Sequence, residues 1–373
     1  MALNDAASFR KLSLSGSRFL ARYRGGDRSQ VAVLMIAILA AAAVFSLFFS
    51  VTTGASDASA FDVIHDLFAR EGALGALSMR DRIVIFDIRL PRAILGFMIG
   101  ASLAVSGTIM QGLFRNPLAD PGLVGVSSGA SFGAVVMIVL GGTFAAPLYG
   151  LLGIYALPFA AFTGALVTTL LLYRIATRHG QTSVATMLLA GIALGALTMA
   201  MTGLMIYMAD DKQLRDLTFW SMGSLAGATW MKIAAAGPII LLSLLAVPFL
   251  ARGLNAITLG EAAAFHMGVP VQRLKTIAIV AVAAGTGASV AVSGGIGFVG
   301  IIVPHILRMA IGPDHRYLLP ASALLGGSLV IFADVLARTV VVPAELPIGI
   351  ITAAVGGPFF LWILLRHRTR LSL

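Results

Sequence analysis

The stretch RNPLADPGLVGVSSGA, residues 115–130, separates two long apolar runs and decides how the chain turns between them. Pro117 cannot continue the preceding helix, because proline lacks the backbone N–H and its ring clashes with the turn before it. Asp120 is a favourable N-cap, and Pro121 directly after it suits the first helical position, where a missing N–H costs nothing. The stretch therefore predicts a tight turn between two helices, the second capped by Asp120.

Small residues recur every four positions after this turn. Gly125, Gly129 and Gly133 would lie on one face of the second helix, where they let a neighbouring helix approach closely. The spacing predicts a pair of helices packed backbone to backbone.

The composition identifies a membrane protein. The chain has 373 residues, of which 58% are hydrophobic and only 11% are charged, whereas about 25% of residues are charged in a soluble domain. A membrane-spanning helix needs about 20 apolar residues. Uncharged runs of that kind lie at 31–50, 93–114, 121–173, 183–209, 233–251, 276–307, 317–333 and 346–365. Two of the runs, 121–173 and 276–307, are long enough for two helices each, with breaks near Gly141 and Gly294. The prediction is an all-α polytopic membrane protein with about ten transmembrane helices.

The runs leave room for one membrane domain, 31–365, and two short tails. Residues 1–30 form a basic N-terminal tail without an apolar core, which is not the pattern of a cleaved signal peptide. Residues 366–373 form the C-terminal tail. The chain has no cysteine, which excludes disulfides, thiolate chemistry and cysteine metal sites.

The distribution of basic residues predicts the orientation. With the N-terminal tail in the cytoplasm, most of the 26 Lys and Arg residues fall on the cytoplasmic side, as the positive-inside rule requires. Both termini are then cytoplasmic. The exception is the outer segment 70–92, which holds five arginines together with Glu71, Asp81 and Asp87. Because loop charges that orient the helices account for the net charge of +10, no nucleic-acid partner is expected.

Five stretches together make the chain resemble the FecCD family, the permease subunits of ABC importers for vitamin B12, iron-siderophores and heme. They are RLPRAILGFMIGASLAVSGTIMQGLFRNPLADPGLVGVSSGA (89–130), LLAGIALGA (188–196), LGEAAAFHMGVPVQRLK (259–275), GGIGFVGIIVPHILR (294–308) and DVLARTVVVPAELPIGI (334–350). The resemblance implies the ten-helix type II ABC importer permease fold in the bacterial inner membrane. It also implies a homodimer with the substrate path on its axis, two ATP-binding cassette subunits and a periplasmic binding protein.

The resemblance gives the opening turn a role. The positions that match the cytoplasmic gate of the family are Asn116 and Leu118 in that turn and Thr182 and Ser183 in a second loop. From the residues alone, the turn needs no role beyond joining two helices.

The cytoplasmic loop 253–275 resembles the coupling helices that contact the ATPase. Glu261 suits the start of a short helix, since an acid is favourable at a helix N-terminus. Gly268 would end that helix, and Pro270 would begin a second short helix at an angle to it. The residues assigned to ATPase coupling are Glu261, Ala262, Ala263 and Gly268. The alternative is an amphipathic loop on the membrane surface.

The chain itself has no nucleotide site. None of its four lysines lies in GxxxxGK[ST], the sequence that cradles phosphates. ATP hydrolysis is therefore expected on a separate subunit, and the chain is predicted not to be an enzyme, with no catalytic residues.

Three outer arginines match positions that hold the binding protein in B12-type permeases: Arg89, Arg92 and Arg338. Arginine binds a carboxylate through two parallel hydrogen bonds, which fixes orientation as well as charge. The alternative is that the arginines anchor helix ends, with Arg338 paired to Asp334 four residues earlier.

Heme is the predicted cargo, chiefly because the stretches 214–230, 111–125 and 337–349 are most similar to the heme-importing branch. An iron-siderophore or vitamin B12 carried by the same machine is the alternative. Heme enters as transported substrate, so no stably bound cofactor and no metal site are expected. Met201, Met205 and Met208 fall on one helix face near the expected path, as flexible filler or as a transient contact with iron.

Two classes other than ABC importers are less compatible with the sequence. An ion-coupled secondary transporter usually carries ionisable residues in mid-membrane, and the apolar runs hold almost none. An intramembrane hydrolase needs a Ser–His pair, paired aspartates or HExxH, and the sequence has none of these arrangements.

Overall fold

The computed structural model describes residues 28–54, 79–179, 181–341 and 343–371. Residues 1–27 of the N-terminal tail, residues 70–78 of the outer segment 70–92 and the last two residues lie outside the described residues. Within the described part, seven helices are long and apolar enough to cross a membrane, and three shorter apolar helices accompany them at Val126–Leu140, Val299–Ile311 and Ile348–Trp362. The all-α polytopic fold predicted from the sequence is confirmed.

Thirteen helices and one short hairpin make up the described chain. The helices are α1 (Ser29–Thr52), α2 (Met79–Phe114), α3 (Val126–Leu140), α4 (Ala146–Leu152), α5 (Ala156–Ala176), α6 (Val184–Met208), α7 (Asp211–Ser221), α8 (Trp230–Thr258), α9 (Glu261–His266), α10 (Val271–Ser293), α11 (Val299–Ile311), α12 (His315–Thr339) and α13 (Ile348–Leu371). The antiparallel hairpin pairs β1 (Thr177–Arg178) with β2 (Gln181–Thr182). Helix α2 includes a π-helical turn at Val84–Arg89.

Helices α2 and α10 form the centre of the bundle and are the most enclosed, whereas α6 leaves most of its apolar side chains exposed. Helix α2 packs closely on α12. Gly100 lies so near the backbone of Gly326 that a Cβ at Gly100 would collide with it. The predicted glycine contact is also present. Gly129 lies against the carbonyl of Gly164, so α3 and α5 pack backbone to backbone.

The opening stretch forms the predicted turn, with one difference. Asn116 Oδ1 accepts a hydrogen bond from the Leu118 N–H at 2.9 Å, and Asp120 Oδ1 accepts one from Gly122 N–H at 2.8 Å. Asp120 therefore acts as an N-cap, as predicted. The helix it caps is a single 3₁₀ turn, Pro121–Val124, and not α3. Gly125, with φ +76°, separates that turn from α3.

The predicted break between two helices near Gly294 is confirmed. Helix α10 ends at Ser293, and α11 begins only at Val299. The freed backbone at the break is partnered within the protein, since the Ser224 N–H donates to the Ser293 carbonyl at 2.7 Å. Irregular backbone inside a membrane protein is tolerated under that condition.

Candidate functional site

One end of the bundle, the arginine end, is defined by Arg92 on α2 and Arg338 on α12. Arg92 uses both edges of its guanidinium. Nε and Nη2 donate to Asp334 at 2.9–3.0 Å, and Nη1 and Nη2 donate to Glu345 at 3.0 and 2.9 Å. Arg92 and Asp334 are buried, whereas the Glu345 side chain is 40% exposed. Arg92 is thus paired with a buried carboxylate on one side and a partly exposed one on the other.

The other two arginines of this end hold the end of α1. Arg89 Nη1 donates to the carbonyls of Val51 and Thr52 at 3.1 and 3.4 Å. Arg338 Nη2 donates to the carbonyl and the hydroxyl of Ser50 at 2.8 Å, and its Nε lies 3.6 Å from Asp334 Oδ2. Cations near the C-terminus of a helix satisfy its last carbonyls and complement its dipole.

The structure therefore brings the three predicted docking arginines to one end of the bundle. All three are buried within the chain, with Arg89, Arg92 and Arg338 only 3%, 6% and 7% exposed. Each already has partners inside the protein. This arrangement matches the helix-anchoring alternative directly, and docking of a binding protein stays a prediction.

The opposite end, the hairpin end, is defined by β1–β2. Thr182 in β2 is buried, and its hydroxyl lies 2.9 Å from that of Thr177. Its N–H donates to Gln272 Oε1 at 2.9 Å, and its carbonyl accepts from Lys275 Nζ at 2.7 Å. Ser183 is exposed, and its hydroxyl caps α6 by accepting from Thr186 N–H at 3.2 Å. Of the four predicted gate residues, Thr182 thus lies in the hairpin and Ser183 directly follows it.

The other two predicted gate residues lie in the turn after α2. Asn116 is exposed and Leu118 is half-buried. Arg115, just before them, has a left-handed φ of 50°, which ends α2 abruptly. Within the part of the chain that the structure describes, no hydrogen bond joins this turn to the hairpin, so the structure does not bring the four residues into one bonded unit.

The predicted coupling segment contains one short helix, α9, which begins at Glu261 as predicted. Gly260 and Gly268, with φ of +109° and +82°, lie on either side of it. The prediction of a second short helix at Pro270 was wrong. Pro270 directly precedes α10, which continues without interruption from Val271 to Ser293. Helices α8 and α10 therefore supply both ends of the predicted loop 253–275.

The surface of α9 is unusually apolar for an exposed helix. Ala262 and Gly268 are exposed, Ala263 is half-buried, and Phe265 and Met267 are 70% and 54% exposed. The Glu261 carboxylate lies 2.7 Å from Lys275 Nζ. Exposed large apolar side chains are typical of a surface that another protein or the membrane covers.

A cavity of about 460 Å³ opens beside the break between α10 and α11, and Asp120, Ser127 and Thr286 are among its lining residues. The Asp120 carboxylate lies close to Gly300, in the first turn of α11. The opening turn therefore lies beside the start of α11.

No metal site is present among the described residues, where no three His, Asp or Glu side chains come together. Met201 and Met208 are exposed on α6, and Met205 packs against a small cluster that includes Leu217.

Sequence reasoning did not assign Glu345 to the arginine end, and it placed Lys275 in the coupling loop 253–275 without identifying its partners Thr182 and Glu261. Both lie within the stretches that carry the family resemblance, and Lys275 is a single lysine at the margin of an apolar run. That isolated charge was the available signal.

The described residues hold seven helices long and apolar enough to cross a membrane and three shorter apolar ones, the architecture of a multi-pass membrane protein. The sequence matches the FecCD transport family over residues 35–366. The chain belongs to this family.

Curated relatives extend the comparison. The chain is 48% identical to the hemin transport system permease protein HmuU of Yersinia pestis over 286 residues, which cover 77% of this chain and 84% of HmuU. It is 43% identical to the vitamin B12 import system permease protein BtuC of Citrobacter koseri over 291 residues, which cover 78% of this chain and 85% of BtuC. The chain is a permease subunit of the ABC importer type and not an enzyme, as the sequence predicted.

A solved structure shares the fold. It is described as an inward-facing conformation of a metal-chelate type ABC transporter, with a TM-score of 0.76 and 30% sequence identity. The match covers 89% of this chain and 98% of that protein.

Proposed function

We propose that this permease passes heme from a periplasmic heme-binding protein to the cytoplasm, driven by ATP hydrolysis on two partner ATPase subunits. The observation that carries the proposal is the 48% identity to a hemin permease across 77% of the chain. Vitamin B12 is the second candidate cargo, because B12 permeases match at 43% identity over a similar length. An iron-siderophore would use the same machine.

The proposed assembly is a homodimer in the bacterial inner membrane, with both termini in the cytoplasm. Helix α6 supports a dimer because few of its residues are buried within the chain. Its exposed apolar side chains, among them Leu197, Met201 and Leu204, require lipid or a second protomer as cover. Heme is a flat, largely apolar ring, so such side chains suit a path that releases it.

In this proposal the hairpin end faces the cytoplasm. Asn116, Leu118, Thr182 and Ser183 form the gate. Helix α9 receives the ATPase through Glu261, Ala262, Ala263 and Gly268, a role supported by the exposed apolar side chains beside them. Residues 1–30 and 366–373 are cytoplasmic tails of the single membrane domain 31–365.

The arginine end faces the periplasm and receives the binding protein. Glu345 supports this role, because it demonstrates that the outward edge of Arg92 binds a carboxylate through two hydrogen bonds. An acidic side chain of the binding protein would take the place of Glu345. Arg89 and Arg338, which are held by α1, would contribute positive charge behind Arg92.

The proposed cargo is tested in liposomes that contain the permease, its ATPase and its binding protein. ATP-driven uptake of heme is expected, with hydrolysis stimulated by the heme-loaded binding protein. Uptake of cobalamin or a siderophore, with heme neither transported nor stimulating hydrolysis, would contradict heme and leave the permease role in place. A complex whose ATPase carries an inactivating substitution is the control for passive entry of heme.

A further inference from the structure

Lys275 lies where three elements meet: α9, α10 and the hairpin. Its Nζ donates to the Thr182 carbonyl and to a Glu261 carboxylate oxygen, both at 2.7 Å. The residue is only 1% exposed. A lysine is almost never fully buried unless it is paired, because the ammonium must leave water. The two contacts that compensate this burial come from two different elements.

A second side chain of α10, that of Gln272, also binds the hairpin. Gln272, three residues before Lys275 and therefore on the same helix face, accepts a hydrogen bond from the Thr182 N–H at 2.9 Å. Both backbone groups of Thr182 are thus bound by side chains of α10. The hairpin has only two residues in each strand, so these contacts fix its position more than its own pairing does.

The other contact of Lys275 reaches the first residue of α9. The Glu261 side chain is 39% exposed, so solvent screens part of its attraction to Lys275. The contact between Lys275 and Glu261 matters more for the position of α9 than for the stability of the protein. Helix α9 cannot shift relative to the hairpin unless Lys275 gives up one of its two partners.

We propose that Lys275 is a positioning residue that joins the coupling helix to the gate hairpin, so that the two move as one unit. The inference rests on the proposed roles of α9 and of Thr182 and Ser183. A push on α9 would then reach the gate through one buried ammonium and not through the length of a membrane helix.

The test compares Lys275→Met with Arg174→Met, which removes an exposed charge from the last turn of α5, outside the coupling loop. In the reconstituted complex, we expect Lys275→Met to lower the cargo taken up per ATP hydrolysed by about tenfold, within the range typical of coupling between sites. ATPase activity and complex assembly should change little. Lys275→Arg should restore part of the coupling, and Arg174→Met should behave as wild type. Wild-type uptake per ATP in Lys275→Met would overturn the proposal.

A second readout does not depend on the cargo. Because the chain has no cysteine, spin labels can be placed at Arg178→Cys in the hairpin and at Met267→Cys beside α9, both exposed. The distance between the labels should stay the same in the nucleotide-free and vanadate-trapped complexes and should broaden with Lys275→Met. A wild-type distance that changes between the two states would refute a rigid link. Failure of heme uptake in the wild type would instead contradict the proposed cargo.

If Lys275→Met does not assemble, Glu261→Gln tests the same link without burying a new group. It keeps a hydrogen-bond acceptor for Lys275 and removes the charge. An intermediate loss of uptake per ATP is expected, and wild-type coupling together with an unchanged label distance would count against the link.

Discussion

The two ends of the bundle use charge in different ways. At the arginine end, Arg92 and Arg338 surround the buried Asp334, and the cluster joins α1, α2, α12 and the segment 343–347. At the hairpin end, one buried lysine joins a two-residue strand to a short helix. The first arrangement fastens long helices to one another, and the second connects two small elements, a two-residue strand and a six-residue helix. We therefore expect charge removal to unfold the protein at the arginine end and to uncouple it at the hairpin end.

The largest effect is expected from Asp334→Asn. The change leaves Arg92 and Arg338 without their shared buried carboxylate, and breaking a buried ion pair by removing one partner costs about 3–5 kcal/mol. The free energy of unfolding in detergent, measured against Asp211→Asn at an exposed position, checks this. Equal stability of the two variants would contradict the expectation that charge removal at the arginine end destabilises the fold.

Lys275→Met is expected to come next, with the loss concentrated in coupling. Its unfolding midpoint should fall less than that of Asp334→Asn, because methionine leaves no buried charge without a partner and the Thr182 carbonyl left unpaired costs about 1–3 kcal/mol. Thermal unfolding of both variants in the same detergent gives the ranking. A larger loss of stability for Lys275→Met than for Asp334→Asn would reverse the comparison.

Glu345→Gln sharpens the account of the arginine end. Arg92 keeps Asp334, so stability should fall by no more than about 1 kcal/mol. Affinity for the binding protein should stay the same or rise, because Glu345 no longer competes for the outward edge of Arg92. The dissociation constant of the binding protein is the measurement. Weaker binding would indicate that Glu345 itself holds the partner.

The smallest effect is expected from pH at the hairpin end. Arg316 beside Asp314, the N-cap of α12, lowers the pKa of that carboxyl from 3.8 to about 2. A carboxyl whose pKa is lower in the folded state contributes stability above pH 3.8, and this is lost as the pH falls through about 2. Asp314→Asn should therefore flatten the acid limb of the unfolding curve slightly. An unchanged acid limb would exclude this cap from the pH response.

Local features of the fold could be predicted from the sequence because they depend on neighbouring residues. Asp120 caps the turn after it, and the Gly129 contact with α5 follows from a four-residue spacing. The contacts that define the two ends could not be predicted in this way. Arg92 and Glu345 are separated by 253 positions, and Lys275 and Thr182 by 93. Such pairs come into contact only when the helices pack, and the periodicity of the sequence does not indicate which residues will meet. Pro270 was misjudged for a related reason, since proline is as suitable before a long helix as before a short one.

The central claim is that the arginine end faces the periplasm and the hairpin end faces the ATPase in the cytoplasm. Single cysteines at Ala344 and Met267, exposed positions at the two ends, can be labelled in intact cells with a membrane-impermeant thiol reagent. We expect Ala344→Cys to be labelled from outside and Met267→Cys to be labelled only after the inner membrane is permeabilised. Labelling of Met267→Cys in intact cells, with Ala344→Cys protected, would contradict the orientation and the roles proposed for both ends.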